Sequence, residues 1–293
     1  MTYSDSQFAQ LVIKSKLVSQ NKVEECLRTA QEMAAEGEPV SVKELLMQFG
    51  YLSPGRAAWV EQSVESGEGR KKATFGNYEL VAHLGTGGMA NVYLANKGDI
   101  QNLVALKVLH KEVSAKQEII ERLGRERRAL FMMEHPNIVK GLEFGNIDGQ
   151  FYLEMEYVDG ITLKAYAKKN RKLAEEKALG WIEQIADALE YAHDKGFVHR
   201  DIKPRNLVLR SDGVVKILDF GLSKYDDDNQ ELTQDGQLLG TVLYAAPEQL
   251  RGAKDVGPAV DVYAIGGVLY RALTSAYPYA ANGYPELLYQ ITM

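Results

Sequence analysis

The spacing of apolar residues changes along this chain from a helical to a strand-like pattern. That change limits the possible folds more than any other feature. Residues 1–65 carry apolar side chains at helical spacing. Strand-like patterns follow at 78–84, 91–96, 103–109 and 151–157, with short ones near Leu207 and Val215. A charged helical pattern covers 115–133, and the chain is largely helical from residue 173 onward. We therefore predict an α+β fold in which a small all-α region precedes a sheet-rich part and then a helical part.

The pattern in residues 1–65 predicts about four short helices. Gly50 is expected to end one of them, and Ser53-Pro54 supplies an N-cap and a proline at the first helical position of the next. The apolar stripes indicate a packed core rather than a groove for a partner. The polar, glycine-containing segment 66–72 is typical of a linker. The predicted divisions are a helical region at 1–65, a linker at 66–77 and a larger domain at 78–293.

Charge and composition exclude several classes of function. The net charge of −6, from 34 basic and 40 acidic residues, provides no basic field for nucleic acid or an anionic membrane. The single cysteine, Cys26, cannot form an internal disulfide. The N-terminus lacks the basic and apolar segments of a signal peptide. The longest apolar run, 260–273, is interrupted by charged residues and falls short of the ~20 apolar residues that span a bilayer. We expect a cytoplasmic chain without a membrane segment.

Two features of the sheet-rich part suit the binding of phosphate. Gly85-Thr86-Gly87-Gly88 forms a turn through which backbone N–H groups can approach phosphate oxygens, although the Gly-Lys-Ser/Thr ending of a P-loop is missing. Lys107 ends an apolar strand and needs an anionic partner if it faces inward. The predicted helix at 115–133 offers Glu126, with Glu121 as the competing choice. The plainer alternatives are an ordinary hairpin and a lysine on an edge strand that points to water.

The segment from His199 to Asn206 carries the strongest chemical signal. Asp201 can orient a hydroxyl group and accept its proton, and Asn206 can offer a neutral oxygen to a divalent cation. Asp219 follows a strand and precedes Phe-Gly, where it can ligate Mg²⁺ that bridges phosphates. Either acid alone could be a turn residue or a helix cap. Both acids in this order, with Lys203 between them, point to phosphoryl transfer.

From Tyr78 to its end the chain resembles the eukaryotic-like (Hanks-type) family of bacterial Ser/Thr protein kinases. The motifs that match are Gly-x-Gly with Val92, Val-Ala-Leu-Lys107, His-Arg-Asp201 with Asn206, Asp219-Phe-Gly, and Ala246-Pro247-Glu248. The resemblance implies a bilobal protein-kinase fold with a small antiparallel β-sheet lobe and a helical lobe. It also implies ATP and Mg²⁺ as cofactors and Ser/Thr hydroxyls of proteins as acceptors of the γ-phosphoryl group.

The resemblance implies a role for each matching residue. Asp201 would be the catalytic base, and Lys203 would stabilise the transferring phosphoryl group. Asn206 and Asp219 would hold Mg²⁺. Lys107 would bind the α- and β-phosphates and pair with Glu126. The complete nucleotide-binding set would be Leu84, Gly85, Thr86, Gly87, Gly88, Val92, Ala105, Lys107, Glu126, Met155, Glu156, Val158 and Val208, with Met155 as the gatekeeper of the adenine-binding hinge.

The resemblance also implies specificity and regulation. Lys203, two residues after the catalytic acid, and Gly240-Thr241 are typical of Ser/Thr kinases rather than tyrosine kinases. Arg200 would receive a phosphate from the activation segment at 219–248, and Thr233 is the expected site of autophosphorylation. Thr241 would instead belong to the platform that binds the substrate. Dimerisation for autophosphorylation is an expected interaction.

Where the sequence departs from the family, it predicts an incomplete large lobe. The family has two or three further helices, one of which supplies an arginine to the glutamate that corresponds to Glu248, so we expect Glu248 to lack that partner. The sequence leaves room for a membrane anchor beyond Met293. The alternatives to an active kinase are a pseudokinase that serves as an ATP-binding scaffold and a small-molecule kinase. The full set of catalytic groups favours an active enzyme over the first, and the platform at 240–248 argues against the second.

Overall fold

The structure of the chain is a computed structural model that describes residues 5–66, 73–97, 103–114, 127, 130–169, 173–219, 242–251, 256–281 and 283–293. It divides into two compact units. The first comprises Met1–Lys116 with Leu142–Gly160, and the second comprises Gln117–Gly141 with Ile161–Met293. The described residues form helices and antiparallel strands, which confirms the predicted α+β class.

The first unit begins with the four predicted helices. These are α1 (Asp5–Lys14), α2 (Gln20–Ala35), α3 (Val42–Gln48) and α4 (Pro54–Ser66). Their apolar stripes meet in a common core that includes Phe8, Val12, Val23 and Leu46, each fully buried, and so the stripes serve packing as expected. Cys26 belongs to this core, and its burial raises the pKa of the thiol. The helical region therefore has a hydrophobic core of its own.

The ends of α3 follow the local signals in the sequence. Ser41 and Glu44 form a capping box, in which the backbone N–H of Glu44 donates to Ser41 Oγ at 3.2 Å and the N–H of Ser41 donates to Glu44 Oε2 at 3.0 Å. The hydrogen bonds that the N–H and the hydroxyl of Ser41 donate to Glu44 Oε2 lower the pKa of the Glu44 carboxyl group. At the other end Gly50 has φ of +72°, a backbone angle that residues with a Cβ adopt only with strain. Gly50 thus ends α3 as predicted.

Six strands follow in the first unit and form an antiparallel sheet. They are β1 (Thr74–Phe75), β2 (Tyr78–Thr86), β3 (Ala90–Asn96), β4 (Leu103–Leu109), β5 (Gly141–Ile147) and β6 (Gln150–Glu156), and a short helix α5 (Lys111–Ser114) follows β4. Their order in the sheet is β1-β2-β3-β4-β6-β5. The predicted β4 is confirmed to the residue. It lies between β3 and β6, and so it is an interior strand.

One face of this sheet packs a hydrophobic cluster that includes Tyr78, Val104, Leu106 and Tyr152. A network of charged and hydroxyl groups lies beside it. Lys97 Nζ lies 2.8 Å from Glu154 Oε2 and 3.0 Å from Glu143 Oε2. The Tyr78 hydroxyl donates to Glu154 Oε2 at 2.5 Å, and the hydroxyl of Tyr152 donates to Glu143 Oε1 at 2.8 Å. The buried Glu154 carboxylate is therefore paired with a cation, as burial requires.

The second unit is mainly helical. It contains β7 (Gly160–Thr162), α6 (Leu163–Lys169), α7 (Glu175–Asp194), β8 (Leu207–Arg210), β9 (Val215–Ile217), α8 (Pro247–Leu250), α9 (Ala259–Thr274) and α10 (Tyr284–Thr292). Strands β7, β8 and β9 form a small three-stranded sheet. Ile185 and Leu189 of α7 pack with Ala264 and Val268 of α9 in the main core. Within the ranges described, no helix combines the length and apolar composition needed to cross a bilayer.

Candidate active site

The loop between α7 and β8 holds the predicted catalytic residues in mutual contact. Lys203 Nζ lies 2.7 Å from Asp201 Oδ2 and 3.0 Å from Asp201 Oδ1. The side-chain amide of Asn206 donates to the backbone carbonyl of Asp201 at 2.8 Å and to Asp201 Oδ2 at 3.2 Å. The side chains of Asp201 and Lys203 are only 14% and 17% exposed, so solvent screens their attraction weakly. The three residues thus form one hydrogen-bonded group around a single carboxylate.

Asp261, the buried acid near the start of α9, fixes the start of this loop. Its Oδ2 accepts from the backbone N–H of His199 at 2.8 Å, and its Oδ1 accepts from that of Arg200 at 2.7 Å. Asp261 is 0% exposed, and His193 Nε2 lies 2.8 Å from Oδ2. Arg200 has φ of +64°, an uncommon angle for a residue with a Cβ. The two bonds to one carboxylate stabilise that conformation. Asp261 thus binds the backbone of both residues at the start of the catalytic loop.

The ring of His199 connects the catalytic loop to the segment before Asp219. The N–H of Asp201 donates to His199 Nδ1 at 3.2 Å, and so Nδ1 is an acceptor. Nε2 lies 3.0 Å from the carbonyl oxygen of Leu218, to which it must donate. These two contacts assign the neutral tautomer with the proton on Nε2. A fully buried imidazole thereby holds Asp201 and the chain at Leu218 in a fixed relation.

The two candidate metal ligands flank the open end of the β8–β9 hairpin. Leu207 pairs with Ile217, and the N–H of Leu218 donates to the carbonyl of Asn206 at 2.8 Å. Asp219 follows directly and has φ of +44°. Because the amide nitrogen of Asn206 binds Asp201, the amide oxygen is the atom that can accept a cation. Amide and carboxylate oxygens are donors that Mg²⁺ prefers, so this pair fits a divalent cation bound chiefly through phosphates. Among the described residues no three His, Cys, Asp or Glu side chains cluster as a metal site.

In the first unit, the glycine-rich segment is a hairpin turn between β2 and β3. Thr86 pairs with Asn91, and the N–H of Gly87 donates to the carbonyl of Ala90 at 2.8 Å. Apart from its chain neighbours, a Cβ at Gly85 or Gly88 would meet no atom of the described residues within 4 Å. Neither glycine has positive φ. The fold itself therefore does not require glycine here, and an external group that approaches the backbone gives a reason for these residues.

The register of the sheet places four predicted nucleotide-binding residues on one face. Lys107 pairs with Val92 on one side and Leu153 on the other, and Ala105 pairs with Met155. Paired residues point to the same face of a sheet, as do residues two apart on one strand. Val92, Ala105, Lys107 and Met155 consequently share the face opposite the cluster of Leu106 and Tyr152. Because β4 is an interior strand and Lys107 is half-buried, the edge-strand alternative for Lys107 is wrong.

The other predicted residues are placed as follows. Leu84 is exposed on β2, and Glu156 and Val158, at and just after the end of β6, are half-buried. Val208 belongs to the second unit, where it is buried on β8 and pairs with Lys216. Glu126, its competitor Glu121, Thr233 and the motif residues Gly240-Thr241 lie outside the described residues.

Two contacts at this site were not predicted from the sequence. Gln249 accepts a hydrogen bond from the N–H of Ala246 at 2.9 Å and donates to the carbonyl of Arg200 at 2.9 Å, so it joins the Ala-Pro-Glu segment to the catalytic loop. The capping spacing of Gln249 three residues after Ala246 is a signal that could have revealed it. The second is His193, whose position in the last turn of α7 gave no sign of its contact with Asp261.

The charge of Glu248 acts on the hydroxyl group of Tyr263. Burial raises the pKa of Tyr263 most, followed by the 2.8 Å contact between its hydroxyl and that of Tyr279. Half-buried Glu248 adds a smaller contribution in the same direction. The expected lack of an arginine partner at Glu248 stays a prediction.

Comparisons with known proteins agree with this geometry. The family model described as the protein kinase domain matches residues 78–293. The chain is 40% identical over 205 residues to the probable serine/threonine-protein kinase PknB of Lactococcus lactis, covering 69% of this chain and 32% of that protein. It is 39% identical over 208 residues to the serine/threonine-protein kinase PrkC of Bacillus subtilis, covering 71% and 32%. It is 41% identical over 213 residues to the serine/threonine-protein kinase PknA of Mycobacterium tuberculosis, covering 71% and 49%. The matches thus cover between a third and a half of these relatives.

Proposed function

Because this chain belongs to the protein kinase family, and within it resembles the Hanks-type bacterial enzymes, we propose that it transfers the γ-phosphoryl group of ATP to Ser/Thr hydroxyls of proteins. The observation that carries the proposal is the Asp201 carboxylate, which Lys203 and Asn206 contact on a loop that Asp261 fixes. The family uses ATP and a divalent metal in general. We propose Mg²⁺ as that metal here.

Asp201 is the proposed catalytic base. Its carboxylate orients the hydroxyl group of the acceptor and takes its proton as the oxygen attacks. Lys203 Nζ, which lies 2.7 Å from this carboxylate, would stabilise the negative charge that develops on the transferring group. The hydrogen bonds to the backbone of Asp201 limit its movement, so little reorganisation is needed during the reaction.

Asn206 and Asp219 are the proposed metal ligands. The support is chemical, since one amide oxygen and one carboxylate suit a hard cation that keeps most of its ligands from phosphate and water. Bound there, Mg²⁺ would neutralise charge on the β- and γ-phosphates. Leu218 and Asn206 are hydrogen-bonded, and this contact limits the separation of the two ligands.

The proposed nucleotide site draws on the sheet of the first unit. Lys107 would bind the α- and β-phosphates, with Glu126 as its proposed carboxylate partner. The backbone of Gly85–Gly88 would approach the phosphates, which the open space around these glycines supports. The remaining proposed contacts are with Leu84, Val92, Ala105, Met155, Glu156, Val158 and Val208.

The wider organisation follows the same proposal. The kinase domain would occupy 78–293, after a helical region at 1–65 and a linker at 66–77. Thr233 is the proposed autophosphorylation site, and two copies would associate for that reaction. The domain would work in the cytoplasm, where ATP is available, on protein substrates rather than on nucleic acid.

Phosphoryl transfer by the full chain tests the proposal. The chain is incubated with γ-labelled ATP, Mg²⁺ and a general protein substrate, beside Asp201→Asn and the matched variant Asp212→Asn, whose acid is exposed in the β8–β9 turn. We expect Asp201→Asn to lower transfer by about 10²-fold or more. Asp212→Asn should match the wild type. Equal transfer by Asp201→Asn would refute the assignment, and nucleotide binding without transfer by the wild type would identify a scaffold.

A further inference from the structure

The first turn of α4 contacts the segment that follows β6. The backbone of Gly55 packs against the side chain of Tyr157, since a Cβ on Gly55 would overlap the Tyr157 hydroxyl. Burial raises the pKa of that phenol. Arg56, the next residue of α4, pairs with Asp159, which lies two residues after Tyr157. Arg56 Nε is 2.5 Å from Asp159 Oδ2. Both contacts join the helical region to the chain between β6 and β7.

Ser53 caps the first turn of α4. A helix begins with N–H groups that have no partner inside the helix. Here Pro54 has no N–H, the N–H of Arg56 donates to Ser53 Oγ at 3.3 Å, and the N–H of Ala57 donates to the carbonyl of Ser53 at 2.9 Å. The side chain of Tyr157, which comes from outside the helical region, lies against the backbone of Gly55 in the same turn. The first turn of α4 thus contacts the segment that follows β6.

The contact at Gly55 leaves no room for a side chain. The position of a Cβ on Gly55 overlaps the Tyr157 hydroxyl, lies 2.5 Å from Tyr157 Cζ, and is 3.2 Å from Leu94 Cδ2. Gly55 does not have positive φ, so its backbone conformation alone would admit any residue. The close approach of Tyr157 is therefore the reason for a glycine in this first helical turn, where glycine is otherwise unfavourable.

Arg56 supplies the second contact. The guanidinium pairs with Asp159 Oδ2, while Asp159 Oδ1 is buried without a hydrogen-bond partner in the described parts of the chain. Removal of Arg56 would leave a carboxylate with one buried oxygen and, among the described residues, no paired cation. The side chains of Arg56 and Asp159 are 39% and 30% exposed, so the pair itself adds little to global stability. Its effect is to restrain Asp159.

We propose that Gly55 and Arg56 position the segment 156–159, the nucleotide-binding hinge, so that the helical region sets the affinity of the kinase domain for ATP. This inference rests on the proposed function, in which the backbone near Glu156 and Val158 binds adenine. Tyr157 and Asp159 lie on either side of Val158 in the sequence, and α4 contacts each of them. The helical region has a hydrophobic core of its own.

The test uses the full chain with Arg56→Gln, Arg56→Lys and Gly55→Ala. Arg28→Gln is the matched control, because Arg28 is exposed on α2 and its loss changes the charge equally. We expect Arg56→Gln and Gly55→Ala to raise the KM and the Kd for Mg-ATP about fivefold or more, with kcat changed less than about twofold. Arg56→Lys should recover part of the affinity, and Arg28→Gln should leave it unchanged. Thermal unfolding midpoints show that each variant is folded.

Hydrogen exchange of the nucleotide-free chain separates this inference from the proposed function. We expect faster exchange at the amides of 156–160 in Arg56→Gln and Gly55→Ala, and no change there in Arg28→Gln. Unchanged exchange would overturn the inference, even if the chain is an active kinase. Faster exchange with unchanged Mg-ATP affinity would also overturn it. If the wild type shows normal exchange protection but does not bind Mg-ATP, the proposed function is refuted. The proposed link between α4 and nucleotide affinity is then refuted as well.

Discussion

Replacing Asp261 with asparagine should destabilise the second unit strongly, because one buried carboxylate satisfies three donors. The side chain accepts from the N–H of His199 at 2.8 Å, from the N–H of Arg200 at 2.7 Å and from His193 Nε2 at 2.8 Å. Asparagine has the same shape but only one acceptor oxygen. If that oxygen takes the place of Oδ2, the NH₂ group must face the N–H of Arg200, donor against donor.

The magnitude follows from that lost contact. A hydrogen bond to a charged acceptor contributes about 1.5–3 kcal/mol, and a buried donor left without a partner costs a comparable amount. We therefore expect Asp261→Asn to lower the free energy of unfolding by about 3 kcal/mol. For a domain of this size that corresponds to a decrease in Tm of about 6–12 °C.

Thermal unfolding followed by circular dichroism measures this effect. The control is Asp194→Asn, which removes the same charge from an exposed position at the end of α7. It should unfold within about 0.5 kcal/mol of the wild type. The reasoning is refuted if Asp261→Asn and Asp194→Asn unfold at the same temperature, because the three contacts of Asp261 would then contribute nothing.

Three further predictions concern the first unit. Tyr78→Phe removes the donor to buried Glu154 and should cost about 1.5–3 kcal/mol in urea unfolding. The hydrogen bond with Lys97 lowers the pKa of the Glu143 carboxyl group in the folded state. The stability that Glu143 contributes should therefore be fully present above the pKa of an unfolded glutamate, about 4.3. It should be lost as the pH falls from there through the lower pKa of the folded state. Gly50→Ala places a Cβ at φ of +72° and should cost about 1–2 kcal/mol.

Each of these three predictions has a control variant or a second measurement that can contradict it. Tyr93→Phe, in the partly buried margin of the same cluster as Tyr78, should stay within about 0.5 kcal/mol of the wild type. Glu143→Gln should differ most from the wild type in Tm at neutral pH and converge with it near pH 3; a constant difference would contradict the assigned sign. Gly180→Ala, inside α7 with open space around it, should stabilise by about 0.5–1 kcal/mol, opposite to Gly50→Ala. Equal effects at Gly50 and Gly180 would exclude backbone strain as the cause.

Much of the secondary structure could be predicted because the signals are local. Gly50 and Ser53-Pro54 mark helix ends through their own backbone preferences, and β4 is a short apolar run with clear limits. Strand β5 was not predicted, since Gly141 and Gly145 weaken its pattern. The turn before β6 could have been predicted, because the dipeptide Asp148-Gly149 is typical of a tight hairpin. In the structure both residues have positive φ.

The sequence by itself determined the family and the likeness to phosphoryl-transfer enzymes, because Asp201, Lys203 and Asn206 lie within one short loop whose spacing brings them together in any fold that forms it. The tertiary structure alone decided which distant groups support that loop and the hinge. Asp261 reaches His199 across 62 positions, and Gly55 meets Tyr157 only because the helical region docks there. Such contacts depend on how separate elements pack, and the spacing of residues within one element carries no record of that packing.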